Sequence, residues 1–189
     1  MSLGVLPIVS VVVIFAARMV ELGTKRNTIA GKIRENLTLR LFLLAGFLML
    51  GGGIAEYLLE NRPISWPIFI VGWVIGLTSF VIRRSAIAAL GRFWSLHVEI
   101  RENHQLVQEG PFRFVRHPAY SSMVMELLAV GVILQAWIAL GAIALVFIPA
   151  LVMRVHLEEN ALVEKFGEAY RRYQKTTPAL IPYRIPQSK

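Results

Sequence analysis

Two short clusters of polar residues in this chain could do chemistry. The first is the run Arg116-His117-Pro118-Ala119-Tyr120, and the second places Arg154 one helical turn before Glu158 and Glu159. An arginine can hold a carboxylate through two parallel hydrogen bonds, and a glutamate can bind a cationic group. Taken singly, a histidine before a proline can cap a helix, and Arg154 with Glu158 can form an ordinary ion pair across one turn. A functional role for the clusters can therefore be argued only from the elements that position them.

A third candidate is Glu126, which lies about two helical turns into an apolar stretch. An ionisable side chain at that depth costs at least about 2.5 kcal/mol unless it is paired or hydrated. We expect Glu126 either to be functional or to pair with Arg154 or His156. A metal is not expected, because the spacings among His97, His104 and His117 match no zinc-ligand pattern and the chain has no cysteine.

The elements that must position these residues are membrane spans. Hydrophobic residues make up 56% of the 189 residues, and the mean hydropathy is +0.58, which is typical of membrane proteins. We predict an all-α integral membrane bundle in a single domain, residues 1–189, with the last two spans forming a tight hairpin. Its transmembrane helices, about five in number, are expected over about 4–22, 39–59, 64–82, 119–135 and 137–155.

The basic residues predict the orientation of these spans. All lysines and arginines except Arg62 lie in the first and third connections, in their flanks, or in the C-terminal segment. Five spans place all of these segments on one side, which the positive-inside rule makes cytoplasmic. We therefore predict a multi-pass membrane protein with its N-terminus outside and its C-terminus cytoplasmic, in the plasma membrane of a prokaryote or the endoplasmic reticulum of a eukaryote. The net charge of +8 then reflects topology and contact with membrane lipids rather than nucleic-acid binding.

The two halves of the chain differ in character. We interpret residues 1–83, which contain spans one to three, as a scaffold. Small residues inside spans two and three allow close helix packing: Gly46, Gly51, Gly52, Gly53, Gly72 and Gly76. We interpret residues 84–189, which contain spans four and five, as the catalytic half. In it, the connection 83–118 mixes apolar and polar residues and is expected to fold back on the bundle, and an amphipathic helix is predicted over about 154–175. The hairpin of spans four and five brings the two polar clusters together.

The order of several motifs resembles the isoprenylcysteine carboxyl methyltransferase family, which is related to phospholipid N-methyltransferases. The resemblance covers about 90–182. It rests on Leu90-Gly91-Arg92-Phe93-Trp94, His104-Gln105-Leu106-Val107, Gly110-Pro111-Phe112, Val115-Arg116-His117-Pro118-Ala119-Tyr120, Arg154 to Glu159, Phe166-Gly167-Glu168-Ala169-Tyr170, Tyr173 and Ile181-Pro182.

The resemblance implies methyl transfer from S-adenosyl-L-methionine to the carboxylate of a lipophilic, prenylcysteine-like substrate. The cytoplasmic loop and the C-terminal amphipathic helix would form the cofactor pocket. Arg154 would bind the substrate carboxylate, and Arg154 and Glu158 would be the catalytic residues. The cofactor would be held by Glu158 and by His97, His104, Gln105, Leu106, Val107, Phe112, His117, Pro118, Ala119 and Tyr120.

Other functions remain open from the sequence. N-methylation of an amine phospholipid would need a base, and Glu158 or Glu159 would supply it. An NADPH-dependent membrane reductase shares part of this architecture. A small membrane scaffold or transporter without enzymatic activity is the remaining alternative, and it would not depend on His117 or Glu158.

Overall fold

The computed structural model describes residues 3–24, 32–33, 37–95, 99–100 and 106–183. Its α-helices are α1 (Leu6–Gly23), α2 (Leu37–Glu60), α3 (Trp66–Leu90), α4 (Pro118–Leu134), α5 (Trp137–Phe166) and α6 (Glu168–Thr176). Short 3-10 turns cover Leu3–Val5, Gly91–Phe93 and Gly110–Arg113. Two strands of two residues, β1 (Lys32–Ile33) and β2 (Glu99–Ile100), pair antiparallel with Lys32 opposite Ile100. The predicted all-α membrane bundle is confirmed.

All five predicted apolar stretches are helical, but they differ in length. Four described helices, α1, α2, α3 and α5, are long and apolar enough to cross a membrane. The apolar helix α4 has 17 residues, about 25 Å at 1.5 Å per residue, which is less than the roughly 30 Å of a hydrocarbon core. The protein is a multi-pass membrane protein in which α4 is the short member of the bundle.

Glycines explain how closely some of these helices pack. Helix α3 runs along α4, and α2 runs along α5. A Cβ atom at Gly72 would lie 2.6 Å from Ile133 Cγ1, and one at Gly53 would lie 3.0 Å from Leu134 Cδ1. These two glycines therefore permit close helix contacts, as predicted. Gly51 does not, because a Cβ there would meet nothing within 4 Å.

The connection between α4 and α5 is the tight hairpin that the sequence predicted. Gln135 adopts a left-handed backbone conformation (φ 53°), and Ala136 is the residue before α5. The carboxylate of Glu56 on α2 accepts hydrogen bonds from the backbone N–H groups of Ile138 (3.1 Å) and Ala139 (2.7 Å). An anion is favourable at this end of a helix. The hairpin is thus fixed by a residue of the first half of the chain.

The predicted boundaries at the opposite side of the bundle are wrong in two places. Helix α5 does not end near residue 155 but continues to Phe166, and the chain turns at Gly167 (φ 54°) into α6. The expected amphipathic helix over 154–175 is therefore the end of α5 plus α6. Likewise, α3 continues to Leu90, so the connection predicted from residue 83 starts later.

The described parts of the connection between α3 and α4 fold back against the bundle, as predicted. Its apolar side chains Phe93, Trp94, Phe112 and Val115 are buried. The Gly110–Arg113 turn, in the segment that leads into α4, lies against α3, and Tyr173 of α6 bonds the carbonyl oxygen of Phe112.

Candidate active site

The start of α4 is fixed by the chain that follows α6. The backbone N–H groups of Arg116 and His117 donate to the carbonyl oxygens of Pro178 (2.9 Å) and Ala179 (3.0 Å). Pro118 occupies the first turn of α4, where its missing N–H needs no partner. The first polar cluster therefore stands on a backbone that two distant segments of the chain hold together.

Glu159 is the centre of a hydrogen-bond network around His117. Its carboxylate accepts hydrogen bonds from Arg116 Nε (2.7 Å) and Gln174 Nε2 (2.8 Å), and it lies 3.0 Å from His117 Nε2. Arg116 also donates to the carbonyl oxygens of Gln174 (3.1 Å) and Thr177. The imidazole of His117 is only 4% exposed, and this network orients it. The predicted meeting of the two polar clusters is confirmed by these contacts.

A second network joins Arg154 to Glu158 through Tyr120. The guanidinium of Arg154 donates from Nε to the Tyr120 hydroxyl (2.9 Å) and from Nη1 to Thr38 Oγ1 (2.9 Å). The Tyr120 hydroxyl in turn donates to the Glu158 carboxylate, and His117 Nδ1 lies 3.8 Å from Glu158 Oε1. Arg154 is 3% exposed. Tyr120 thus connects two residues that the sequence alone paired as a simple ion pair.

Aromatic rings surround the buried arginine. The Arg154 Cζ atom lies 5.6 Å from the ring centroids of both Phe42 and Tyr120, within the range of a cation–π interaction. The Phe42 ring packs against that of Phe147 (4.8 Å between centroids), and the His117 ring stacks on Tyr120 (5.5 Å). The positive charge therefore faces an environment with little water.

All predicted site residues within the described part of the chain line one cavity. They are Leu106, Val107, Phe112, His117, Pro118, Ala119, Tyr120, Arg154 and Glu158. His97, His104 and Gln105 lie outside the described residues. Within the described ranges, no group of three or more His, Asp or Glu side chains is arranged to hold a metal ion.

The cavity has a polar end and an apolar limb. From Tyr120 it continues along α4 past Met123 and Leu127 to Val130, ten residues and about 15 Å further at 1.5 Å per residue. Side chains of α1 and α2, Phe15 among them, line the opposite wall. A ligand with a charged head and a long apolar tail matches this shape.

Two tyrosines of α6 close the polar end. The Tyr173 hydroxyl donates to the carbonyl oxygen of Phe112 (2.5 Å). Tyr170 is 1% exposed, and its hydroxyl has no hydrogen-bond partner among the described residues. Burial, with the negative charges of Glu159 and Glu158, raises the pKa of Tyr170 well above its usual value, so the hydroxyl stays protonated. An unpaired buried hydroxyl costs about 1–3 kcal/mol, which a bound ligand can offset.

Sequence reasoning missed several residues around this cavity. The expectation that Glu126 pairs with Arg154 or His156 is wrong: Arg18 of α1 donates from Nε to Glu126 Oε1 at 3.0 Å. Thr38 was not predicted either. Both contacts join residues more than 100 positions apart, and no local spacing signals such a pairing. Glu159, by contrast, belongs to the second polar cluster that the sequence identified, although its contact with His117 was not specified.

Comparison with known proteins adds an independent observation. Residues 71–164, about half of the chain, match the isoprenylcysteine carboxyl methyltransferase (ICMT) family. The matched region contains α4, most of α3 and most of α5. It therefore includes the two polar clusters of the cavity.

Three relatives illustrate the range of similar proteins. Protein-S-isoprenylcysteine O-methyltransferase B of Arabidopsis thaliana is 31% identical over 120 residues, 62% of this chain and 61% of the relative. An uncharacterized protein of Bacillus subtilis is 29% identical over 112 residues (59% and 66%). Methanethiol S-methyltransferase 1 of Bradyrhizobium diazoefficiens is 29% identical over 116 residues (60% and 39%). In each case the match covers less than two thirds of the relative's own length.

Proposed function

Because the chain belongs to the isoprenylcysteine carboxyl methyltransferase family through residues 71–164, we propose that it is a membrane methyltransferase. It transfers the methyl group of S-adenosyl-L-methionine to the carboxylate of a lipid-linked, prenylcysteine-like acceptor. The observation that carries this proposal is the position of Arg154, a buried cation where the polar end of the cavity meets its apolar limb.

Arg154 is suited to hold the acceptor carboxylate. Its Nε and Nη1 atoms are already anchored by Tyr120 and Thr38, which fixes the plane of the guanidinium, and its planar fork matches a carboxylate. An α-carboxyl has a reference pKa of about 3.3–3.7, so the acceptor is ionised at neutral pH. The reaction then needs no strong base, and alignment of the reactants can supply up to about 7–11 kcal/mol.

The residues at the polar end fit the proposed cofactor. The cofactor supplies an electrophilic methyl group on a sulfonium when bound. The aromatic faces of Phe112 and Tyr120 suit an adenine ring or a cationic sulfur, and the partly exposed carboxylate of Glu158 (side chain 32% exposed) suits an ammonium group. The unpaired hydroxyl of Tyr170 offers a further hydrogen bond. His104 and Gln105 are proposed cofactor ligands from the resemblance alone, as is His97.

The role of His117 in this proposal is to complete the wall of the cofactor pocket. Its ring stacks on Tyr120 and is held by Glu159, so His117 covers one face of the Tyr120 ring. Burial of this cluster excludes water, which strengthens the interaction of Arg154 and Glu158 with charged ligands. Residues 84–189 thus supply most of the proposed chemistry, while residues 1–83 contribute Thr38 and Phe42 to the arginine site.

We also propose that the polar end faces the cytoplasm, with the N-terminus outside and the C-terminus inside. The distribution of lysine and arginine supports this orientation. A soluble cofactor would reach the polar end from the cytoplasm. A lipophilic acceptor would occupy the apolar limb.

Methylation of a different acceptor is the second candidate function. The Bradyrhizobium relative is named a methanethiol S-methyltransferase, and the amine-phospholipid alternative follows from the sequence. Thiol and amine acceptors must lose a proton, so either would need a base. Glu159 is occupied by three donors, which leaves Glu158 as the candidate for that role. Arg154 would then have no carboxylate to bind.

Two measurements test the proposal. Isothermal titration of the detergent-solubilised protein with S-adenosylhomocysteine is expected to show binding; no heat from protein that circular dichroism shows to be folded would contradict it. Transfer of a labelled methyl group is then compared among a prenylcysteine, an amine phospholipid and a small thiol. Arg154→Ala is expected to abolish carboxyl methylation, whereas Arg171→Ala, at a side chain 58% exposed on α6, is expected to retain it.

A further inference from the structure

A groove lies between α1 and α3, on the outer surface of the bundle. Its rim is formed by Val13, Leu77 and Phe80, whose side chains are 53%, 57% and 51% exposed. At one end the indole of Trp73 donates from Nε1 to Ser10 Oγ at 3.3 Å and joins the two helices. The groove therefore opens on the side of the bundle that faces lipid.

Charged residues form the floor of this groove. Arg18 donates from Nε to Glu126 (3.0 Å) and from Nη1 to Glu21 (3.4 Å), and Arg83 donates from Nε to Glu21 (2.5 Å). We name these four residues the ion-pair cluster. Their side chains are 4–18% exposed. The cluster carries two positive and two negative charges, so it is electrically balanced.

The ion-pair cluster separates the groove from the candidate active site. Arg18, Arg83 and Glu126 line both the groove and the active-site cavity, as does Ile14. The cluster is therefore a shared wall, with a lipid-facing space on one side and the apolar limb on the other. Separation of its ion pairs would join the two spaces.

Helix α1 is weakly packed where it meets this wall. Its buried residues Pro7, Ser10 and Val11 all lie in its first third. Further along, at Arg18 and Glu21, its contacts to α3 and α4 are the ion pairs. Charged residues at membrane depth are costly unless paired, and a pair can exchange partners with another charged group. Apolar packing does not permit such an exchange.

We propose that the groove between α1 and α3 binds the hydrocarbon chain of a membrane-dissolved, carboxylate-bearing acceptor, and that the ion-pair cluster opens to admit it. The identity of this occupant rests on the proposed function. An arriving carboxylate replaces Glu126 as the partner of Arg18 and then passes to Arg154. Six residues of α4, about 9 Å at 1.5 Å per residue, separate Glu126 from Tyr120, which contacts Arg154.

The proposal is testable without catalysis because the chain has no cysteine. Met123→Cys places a single thiol in the active-site cavity. The protein is reconstituted in phosphatidylcholine vesicles, and the rate of modification by a maleimide with a long alkyl chain is measured. The matched control is Leu145→Cys, at a lipid-facing position 79% exposed on α5.

The reporter is compared in three backgrounds. Replacing both Arg18 and Glu126 by alanine removes part of the wall, and we expect Met123→Cys to react about tenfold faster than in the parent. Arg18→Lys keeps a positive charge beside Glu126 and Glu21, and we expect its rate to lie within about twofold of the parent. If the double alanine variant is not recovered folded, Arg18→Gln, which removes the charge but keeps a polar side chain, gives the same comparison.

Three results would overturn the proposal. One is an unchanged rate at Met123→Cys in the opened variant. Another is an equal acceleration at Leu145→Cys or with a water-soluble maleimide, which would indicate general loosening of the bundle. The third is an Arg18→Lys variant that reacts as fast as the double alanine variant. Failure of S-adenosylhomocysteine to bind would refute the proposed function, whereas the labelling rates would still decide whether the groove admits alkyl chains.

Discussion

Thr38 offers a direct test of how Arg154 is positioned. The Thr38 side chain on α2 is fully buried, and its hydroxyl accepts a hydrogen bond from Arg154 Nη1 at 2.9 Å. Thr38→Val keeps nearly the same shape but removes this acceptor. Thr38 belongs to neither of the two polar clusters that the sequence identifies, and it contacts the second cluster at Arg154.

The size of the effect follows from the kind of hydrogen bond that is lost. A hydrogen bond to a charged group contributes about 1.5–3 kcal/mol, and each 1.36 kcal/mol corresponds to a factor of ten. We therefore expect kcat/KM for a prenylcysteine acceptor to fall about 10- to 150-fold. Most of the loss should appear in KM, because in the proposed role Arg154 binds the carboxylate in the ground state as well as in the transition state.

The assay is transfer of a labelled methyl group to a prenylcysteine over a range of acceptor concentrations. Calorimetry with S-adenosylhomocysteine runs in parallel, and we expect its affinity to change less than threefold. Thr38→Ser keeps the hydroxyl and is the matched control, with kcat/KM within about threefold of the parent. The reasoning would be refuted by a valine variant as active as the serine variant, or by an equal loss of affinity for both ligands.

Three further outcomes are expected. Glu158→Gln should weaken S-adenosylhomocysteine binding at least about tenfold in calorimetry, because a charge-assisted contact becomes neutral. Gly72→Ala should lower the free energy of unfolding by about 1–3 kcal/mol, since its Cβ would lie 2.6 Å from Ile133 Cγ1; Gly51→Ala, in open space, should not. Gly167→Ala should cost about 1–3 kcal/mol, because Gly167 has φ 54° and ψ −127°, a backbone conformation that alanine rarely adopts. Thermal unfolding in detergent measures both stability changes, and unchanged midpoints would contradict them.

The spans and the meeting of the two polar clusters could be predicted because each depends on local pattern. Apolar stretches of sufficient length indicate helices in lipid, and the run broken at Gln135 indicates a hairpin. A hairpin necessarily places its two open ends side by side. That geometry brings the start of α4, next to His117, towards the part of α5 that carries Glu159.

Contacts between distant helices could not be predicted in the same way. The pairing of Arg18 with Glu126 depends on which helices become neighbours and on their rotation about their axes, and neither is encoded in the spacing along one segment. The same holds for Thr38 and Arg154. Residues of α1 and α2 also line the cavity, and no local spacing in the first half of the chain indicated this.

The length of α5 shows a different kind of difficulty. Residues 156–166 have good helix-forming character and follow a hydrophobic span without a break. Hydropathy marks only where the apolar span ends, near residue 155, and the helix itself continues to Phe166. Gly167 was the usable signal, because a helix commonly ends at a glycine with positive φ.

The backbone hydrogen bonds from Arg116 and His117 to Pro178 and Ala179 also have a consequence for biosynthesis. The residues that complete the candidate site are translated about sixty positions after the motif that they hold. The spans can enter the bilayer one after another, but the binding pocket cannot form until residue 179 has left the ribosome. A nascent chain is therefore inserted in the membrane before the candidate site is assembled, and the site is completed only after this segment has been synthesised.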